Sequence, residues 1–272
     1  MTGLPIEKTQ WRRAGIELGI AFLAALAYFA VRGLTEGSTE DALRNAGRIE
    51  RFESWLGILI EPDLQSFITG STLLVNIVNW IYIWAHWPLI ILVAAWLIRS
   101  HPDTYRLTRN AFLISGGAGL IVFATFPVAP PRLTEMDVID TVTRHSNAYR
   151  FLQPPAFTNQ YAALPSLHFG WNLLIGIAIF RVVNARWLKA MAVLIPVAMA
   201  LAVVLTANHY IVDPIAGAAF ALGGLGLATF LRNRGLRRRG ESAAKQAVSL
   251  GALVSPAAPE EDLPRERVTS DV

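Results

Sequence analysis

Apolar residues in this chain come in long unbroken runs, and short connecting segments hold most of the charge. Six runs are long enough to cross a bilayer: Ala14 to Val31, Leu74 to Ile98, Ala111 to Val128, Ser166 to Val183, Leu188 to Thr206 and Ile211 to Leu231. A helix needs about 20 apolar residues to span the hydrocarbon. None of the runs alternates polar with apolar as a membrane barrel strand does, so the pattern predicts helices. The expected fold class is all-α, a polytopic membrane protein with six transmembrane helices.

One polar stretch carries its own pattern. From Ala42 to Ile60, the residues Leu43, Ile49, Phe52, Trp55, Leu56 and Ile60 recur among charges. This predicts an amphipathic helix on the outer membrane surface, with its acidic side solvated.

Basic residues set the orientation. Lys8, Arg12 and Arg13 precede the first run, and Arg99, Arg106 and Arg109 separate the second from the third. Arg181, Arg186 and Lys189 separate the fourth from the fifth, and Arg232, Arg234, Arg237, Arg238 and Arg239 follow the sixth. Cytoplasmic connections concentrate such residues. Placing all of them there requires an even number of crossings and puts both termini in the cytoplasm, as expected for a plasma (inner) membrane protein. The first run is too long for a cleaved signal peptide and lacks a small-residue cleavage site, so it reads as a retained span. The connections Gly33 to Ser71 and Ala129 to Leu164 then lie outside. The second is long and holds Pro130, Pro131, Pro154 and Pro155, which points to a functional loop. The sequence divides into one membrane domain, 1–240, and a tail, 241–272, whose aperiodic Ala, Pro, Ser and charge predict disorder.

Composition narrows the classes. With 53% hydrophobic and 16% charged residues, the composition points away from a soluble domain and toward a polytopic membrane protein. The absence of cysteine removes thiolate catalysis, disulfides and cysteine-ligated metals. The arginines at 237–239 suit anionic lipid headgroups, and no nucleic-acid partner is expected. Gly217, Ala221, Gly223, Gly224 and Gly226 fall inside a span without the Lys-Ser/Thr of a nucleotide loop, and read as close helix packing. Trp80, Tyr82, Trp84 and Trp87 read as an interfacial aromatic belt.

Against this apolar background, two strings carry chemistry: Leu164-Pro-Ser-Leu-His168 and Asn208-His-Tyr-Ile-Val-Asp213. The chain between the two histidines suffices for two crossings, so they return to one face. His168 falls in the first turn of the fourth span and His209 at the start of the sixth, both outside. Two helix N-termini aimed at one spot, with Pro165 at a first helical position, form an anion site. His209 and Asp213 are spaced i, i+4, so on a helix the carboxylate fixes the imidazole tautomer and leaves the other nitrogen free to attack. His168 has no such partner nearby and suits a general acid. The set predicts phosphoryl transfer through a phospho-histidine, with His209 as nucleophile, Asp213 as its orienter and His168 as proton donor.

A transferring phosphate needs cations over its oxygens. Arg132, closing Phe126-Pro-Val-Ala-Pro-Pro-Arg132, is the foremost candidate, since its guanidinium matches phosphate geometry. Ser166 adds a hydroxyl donor. Arg144, His145 and Arg150 lie in the same loop, and Arg144 and Arg150 are further candidate substrate contacts, with Tyr161 and Asn208. His86 is an ionisable residue inside a span and a candidate headgroup contact, to be weighed against a buried histidine bonded to Asn76 or Asn79. Neither a metal nor an organic cofactor is expected. The competing readings are a bis-histidine haem or quinone electron carrier using His86, His168 and His209, a zinc hydrolase using His168, His209 and Asp213, and a non-catalytic lipid transporter.

Together these residues resemble the type 2 phosphatidic acid phosphatase superfamily, which includes the vanadium haloperoxidases. Pro165-Ser-Leu-His168 and His209-Tyr-Ile-Val-Asp213, followed by Gly217, carry the resemblance. Phe126-Pro-Val-Ala-Pro-Pro-Arg132, Tyr161-Ala-Ala-Leu-Pro-Ser-Leu-His168 and Asn208 to Asp213 look closest to the inositol phosphorylceramide synthase-like (inositolphosphotransferase) branch and its bacterial relatives. The likeness covers roughly 74–231. It implies the same roles for His209, Asp213 and His168, a phosphate contact for Ser166, and a phospholipid, polyprenyl or sphingolipid-type substrate. The chain departs from the wider pattern in three ways. It lacks the Lys before the long loop, Val203 stands where the superfamily has an Arg, and Pro214 follows Asp213 directly, where it is expected to disturb the start of the helix.

Overall fold

A computed structural model describes residues 8–35, 39–145 and 159–254. The described residues are helical apart from turns, loops and one isolated bridge between Val128 and Ala162. In chain order the helices are α1 (Lys8–Thr35), α2 (Thr39–Leu56), α3 (Glu61–Thr69), α4 (Thr72–Trp84), α5 (Trp87–Ser100) and α6 (Pro102–Thr125). A 3-10 turn at Pro131–Leu133 and α7 (Thr141–His145) follow. The last three are α8 (Leu167–Val182), α9 (Arg186–Leu205) and α10 (Val212–Val254).

Three helices are long and apolar enough to cross a membrane: α6, α9 and the Val212–Arg238 part of α10. The bent pair α3 and α4, with 119° between them, raises this to as many as four. Shorter apolar helices are Gly15–Val31 within α1, α5 and α8. The protein is membrane-embedded.

The run Leu74 to Ile98, expected as one continuous span, is instead divided between α4 and α5 at Ala85 and His86. Pro88 explains the break. It lacks an N–H and its ring collides with the carbonyl one turn earlier, so it stands in the first turn of a new helix. Pro214 has the same tolerance in the first turn of α10 and leaves that helix intact. Past Gly240, where disorder was expected, α10 continues to Val254 on Ala243, Ala244, Lys245, Gln246 and Ala247, all good helix formers. Residues 255–272 lie outside the described residues.

The amphipathic stretch folds as α2, with α3 directly after it, and a second face of α2 packs on the protein. Ala42, Ala46, Ile49 and Glu53 form the buried stripe of α2, which packs on Val128, Ala129, Ala163 and Tyr210. Leu43, Phe52, Trp55 and Leu56 stay exposed. The acidic side is not wholly solvated: Glu53 and Glu61 are fully buried. Asn45 Nδ2 donates to the Pro127 carbonyl (2.9 Å), and Ala129 N–H donates to the Ala42 carbonyl (3.1 Å). These bonds tie α2 to the loop that follows α6.

Backbone contact between helices brings the two histidine strings together. A Cβ on Gly170 of α8 would stand 2.6 Å from the Gly217 carbonyl oxygen, and one on Gly217 of α10 would stand 2.2 Å from the Ser166 carbonyl oxygen. Only glycine allows this approach, which seats the start of α8 against the start of α10. Gly224 makes a similar contact with Ala111 of α6, while Gly223 and Gly226 face open space. The packing expected of this glycine run therefore holds for Gly217, Ala221 and Gly224. Gly217→Ala is expected to lower stability by about 1–3 kcal/mol or more, because backbone cannot yield as a side-chain tip can. Thermal unfolding of the purified variant in detergent measures this; an unchanged midpoint would contradict the packing.

Candidate active site

His209 lies in the turn between α9 and α10, ahead of the helix rather than on it. This turn is shaped by Ala207, which adopts φ 56° just past the end of α9. The N–H groups of Asn208 and His209 both donate to the Val203 carbonyl. His209 is buried, and its Nδ1 is 2.7 Å from the Ala163 carbonyl oxygen and 3.2 Å from Asp213 Oδ2. A carbonyl can only accept, so Nδ1 carries the hydrogen and Nε2 presents a lone pair. Burial, reinforced by Arg132 and opposed by the Ala163 carbonyl, pushes the His209 imidazole down to about 3. The ring is therefore neutral at pH 7. Asp213 is fully buried, and its Oδ2 also accepts from Tyr210 N–H at 2.9 Å.

His168 is the second residue of α8. Its ring centroid lies 6.2 Å from that of His209, with the planes tilted by 56°. A reacting atom needs roughly 3 Å to each of two catalytic groups, and this separation provides it. His168 stacks between Tyr82 (4.8 Å) and His86 (4.0 Å), and its Nε2 is buried without a partner among the described residues. His86 is also buried, with Nδ1 unpartnered, and continues the stack onto Trp171 (6.0 Å). Neither Asn76 nor Asn79 satisfies it: Asn79 instead donates to the Thr141 carbonyl and accepts from the Thr141 hydroxyl. Rings stacked face to face do not direct their nitrogens at a shared axial position, so His86 and His168 are poorly arranged as two ligands of one haem. Among the described residues, no three His, Cys, Asp or Glu side chains are grouped to hold a metal ion.

A cavity of about 760 Å³ joins these groups. His86, His168, His209, Asn208 and Arg132 line its polar end. Ala24, Tyr28, Phe29, Leu113, Gly117 and Leu120 line its apolar end, between α1 and α6. Arg132 sits in the 3-10 turn, where its N–H donates to the Ala207 carbonyl at 3.0 Å. Its Nε is 3.6 Å from Asp140 Oδ2, and its Nη1 is buried and unpartnered among the described residues. Among the described residues on the wall, Arg132 is the one permanent cation. Val203 is buried in the hydrophobic core between α4 and α9 and contributes none.

Several candidates take other places. Ser166 is fully buried and caps α8, its Oγ accepting from Phe169 N–H at 3.5 Å, and it is not on the cavity wall. Pro165 precedes that cap rather than opening the helix. Tyr161 also lies off the wall, its hydroxyl 2.7 Å from Thr39 Oγ1. Asn208 is on the wall, and its amide donates to Thr206. Arg144 belongs to α7, but its side chain and that of His145 lie outside the described residues, as does Arg150 entirely. The aromatic run divides: Trp80 and Trp84 stack at 5.4 Å and are exposed, as a belt requires, while Tyr82 and Trp87 line the cavity.

The start of α10 is not an open anion site. Ile211 N–H donates to Glu61 Oε1 (3.0 Å) and Val212 N–H to Glu53 Oε1 (2.8 Å). With Tyr210 N–H held by Asp213, the donors expected to face a phosphate are already occupied. The sequence reading missed these two carboxyl groups and the Ala163 carbonyl.

A family profile described as the PAP2 superfamily matches residues 47–227. No curated protein and no solved structure matches the chain significantly.

Proposed function

The chain belongs to the PAP2 superfamily, and from that membership we propose a lipid phosphatase or phosphotransferase that works through a phospho-His209 intermediate. The observation that carries this reading is the His209 ring. Its Nδ1–H is held by the Ala163 carbonyl and Asp213, and its Nε2 is left free in a cavity shared with His168. In the first step Nε2 forms a bond to phosphorus as the ester P–O bond breaks. His168 gives its proton to the departing lipid oxygen. The bound phosphate supplies the opposite charge that favours an imidazolium at His168 beforehand. In the second step water or an alcohol yields a proton to His168 and attacks phosphorus, and the P–N bond breaks. Asp213 stabilises the positive charge on His209 throughout. Arg132 faces the phosphoryl oxygens, while Ser166, as the cap of α8, keeps His168 in place.

The apolar end of the cavity supports a lipid whose chain runs between α1 and α6, with its phosphate at the histidines and its headgroup near His86 and Asn208. Gly117 lines this end and has no atom within 4 Å of the position a Cβ would take. Gly117→Leu is expected to raise KM about tenfold for long-chain lipid phosphates and to leave soluble short-chain phosphates unaffected. Equal KM values for both would contradict this placement of the chain.

Among the described residues, the wall carries one permanent cation, Arg132, which suits a phosphodiester better than a more highly charged phosphomonoester. That supports the inositol phosphorylceramide synthase-like branch, in which a phospho-headgroup passes to an alcohol. Incubation with lipid extract labelled in phosphate tests the choice: label on a new lipid supports transfer, and label released only as free phosphate supports hydrolysis. For topology, we propose crossings by α1, the α4–α5 pair, α6, α8, α9 and α10. The membrane domain then extends over 1–240, with both termini cytoplasmic, the cavity extracytoplasmic and α2 against the outer leaflet. The basic residues at the predicted cytoplasmic connections support this orientation.

A further inference from the structure

Glu53 and Glu61 are fully buried, yet among the described residues neither forms an ion pair with a basic side chain. Each uses one oxygen in the same way. Glu61 Oε1 accepts from Ile211 N–H and Glu53 Oε1 accepts from Val212 N–H, on consecutive residues between His209 and Asp213. Their second oxygens, both Oε2, are buried without a donor among the described residues. The two carboxyl groups interact with one another. Two carboxylates in that position repel, whereas one proton between the two Oε2 atoms satisfies both. Burial, with Glu61 beside it, pushes the Glu53 carboxyl up to about 9, so a proton is held there at neutral pH. A third carboxylate, Glu50, accepts from the Tyr210 hydroxyl at 3.1 Å.

We propose that Glu53 and Glu61 form a singly protonated carboxyl clamp from α2 and α3 that positions His209 by fixing the Ile211–Val212 backbone. They are positioning residues, since neither lines the cavity. The clamp acts through the short segment that joins the two members of the His209–Asp213 pair. Releasing its N–H groups frees that segment to shift, which lengthens the Nδ1 contacts that orient Nε2. A displacement near 1 Å at a reacting group costs about 100-fold in rate. The inference rests on the proposed role of His209 for its kinetic consequence, but its structural consequence stands independently.

The test uses glutamine as a copy of a protonated glutamic acid. In Glu53→Gln the amide oxygen accepts from Val212 N–H and the amide N–H₂ donates to Glu61. In Glu61→Gln the same exchange runs the other way. In the double variant one donor–donor contact is unavoidable: with both amide oxygens on the backbone N–H groups the two N–H₂ groups face each other, and turning one amide sets its N–H₂ against a backbone N–H. Full-length protein in detergent would be assayed with dioctanoyl phosphatidate and with short-chain phosphatidylinositol plus an acceptor alcohol. The His209 imidazole would be followed by NMR without substrate. Each single glutamine variant is expected within about threefold of the native kcat, with its His209 resonance unmoved. Glu53→Leu and the double glutamine variant are expected to lose about 10- to 100-fold in kcat with KM little changed, and to shift that resonance.

The clamp is overturned if the double variant behaves as the product of two mild singles, or if folded Glu53→Leu leaves the His209 signal in place. It is equally overturned if a single glutamine variant is as damaged as Glu53→Leu. Should native protein turn over neither probe while the resonance follows the expected pattern, the clamp stands and the proposed activity fails.

Discussion

Replacing His209 with alanine is expected to lower turnover by at least about 10⁴-fold while the protein still folds, because no neighbouring side chain can take the phosphoryl group. The ring is held from its Nδ1 side by the Ala163 carbonyl and Asp213. Its removal vacates the cavity wall and leaves the glycine contacts between α8 and α10 in place. Among the described residues, the polar bonds of the ring go to the Ala163 carbonyl and to Asp213 in the first turn of α10. His209→Ala should therefore keep a thermal midpoint near that of the native protein. A folded variant with native-like turnover would remove the covalent route. Vanadate, as a mimic of five-coordinate phosphorus, should inhibit the native enzyme at the same site.

The second large effect is expected at His168, and it should depend on the leaving group. An alkoxide is a poor leaving group and needs a proton as the P–O bond breaks; an aryloxide needs little help. His168→Ala should lower kcat on alkyl or lipid phosphates about 10²- to 10⁴-fold, and on aryl phosphates far less. Its ring is stacked between Tyr82 and His86, so alanine also leaves a gap in that column. His168→Phe fills the gap without a proton donor and separates the two effects. Equal losses on alkyl and aryl substrates in both variants would dismiss the general-acid role.

The all-helical, membrane-embedded fold and the two histidine strings were legible because they rest on local properties. Long apolar runs need no partner to be recognised, and the return of His168 and His209 to one level follows from crossing length. What escaped depends on contacts distant in sequence. The break at His86 was readable from Pro88, but the continuous apolar run outweighed it. The face of α2 that packs on the protein went unnoticed because Leu43, Phe52 and Trp55 are larger than the residues that form it. Ala42, Ala46, Ile49 and Glu53 are spaced i, i+4, i+7 and i+11, a helical stripe of small residues that ends in an acid. Such a stripe is the sequence signal that Glu53 is buried, whereas what it holds is evident only from the fold. Ser166 and Tyr161 were misplaced for the opposite reason. Their position beside the histidine string suggested the cavity wall, but a helix cap and a bond to Thr39 claim them. The Ala163 carbonyl has no side-chain signature at all.

The most direct measurement is rapid acid-free quenching of the full-length enzyme during turnover of a ³²P-labelled lipid phosphate, followed by peptide mapping. The account predicts label on the peptide containing His209, stable in alkali and lost in mild acid, and absent from His209→Ala. Steady turnover with unlabelled protein, or label retained by His209→Ala, would contradict it.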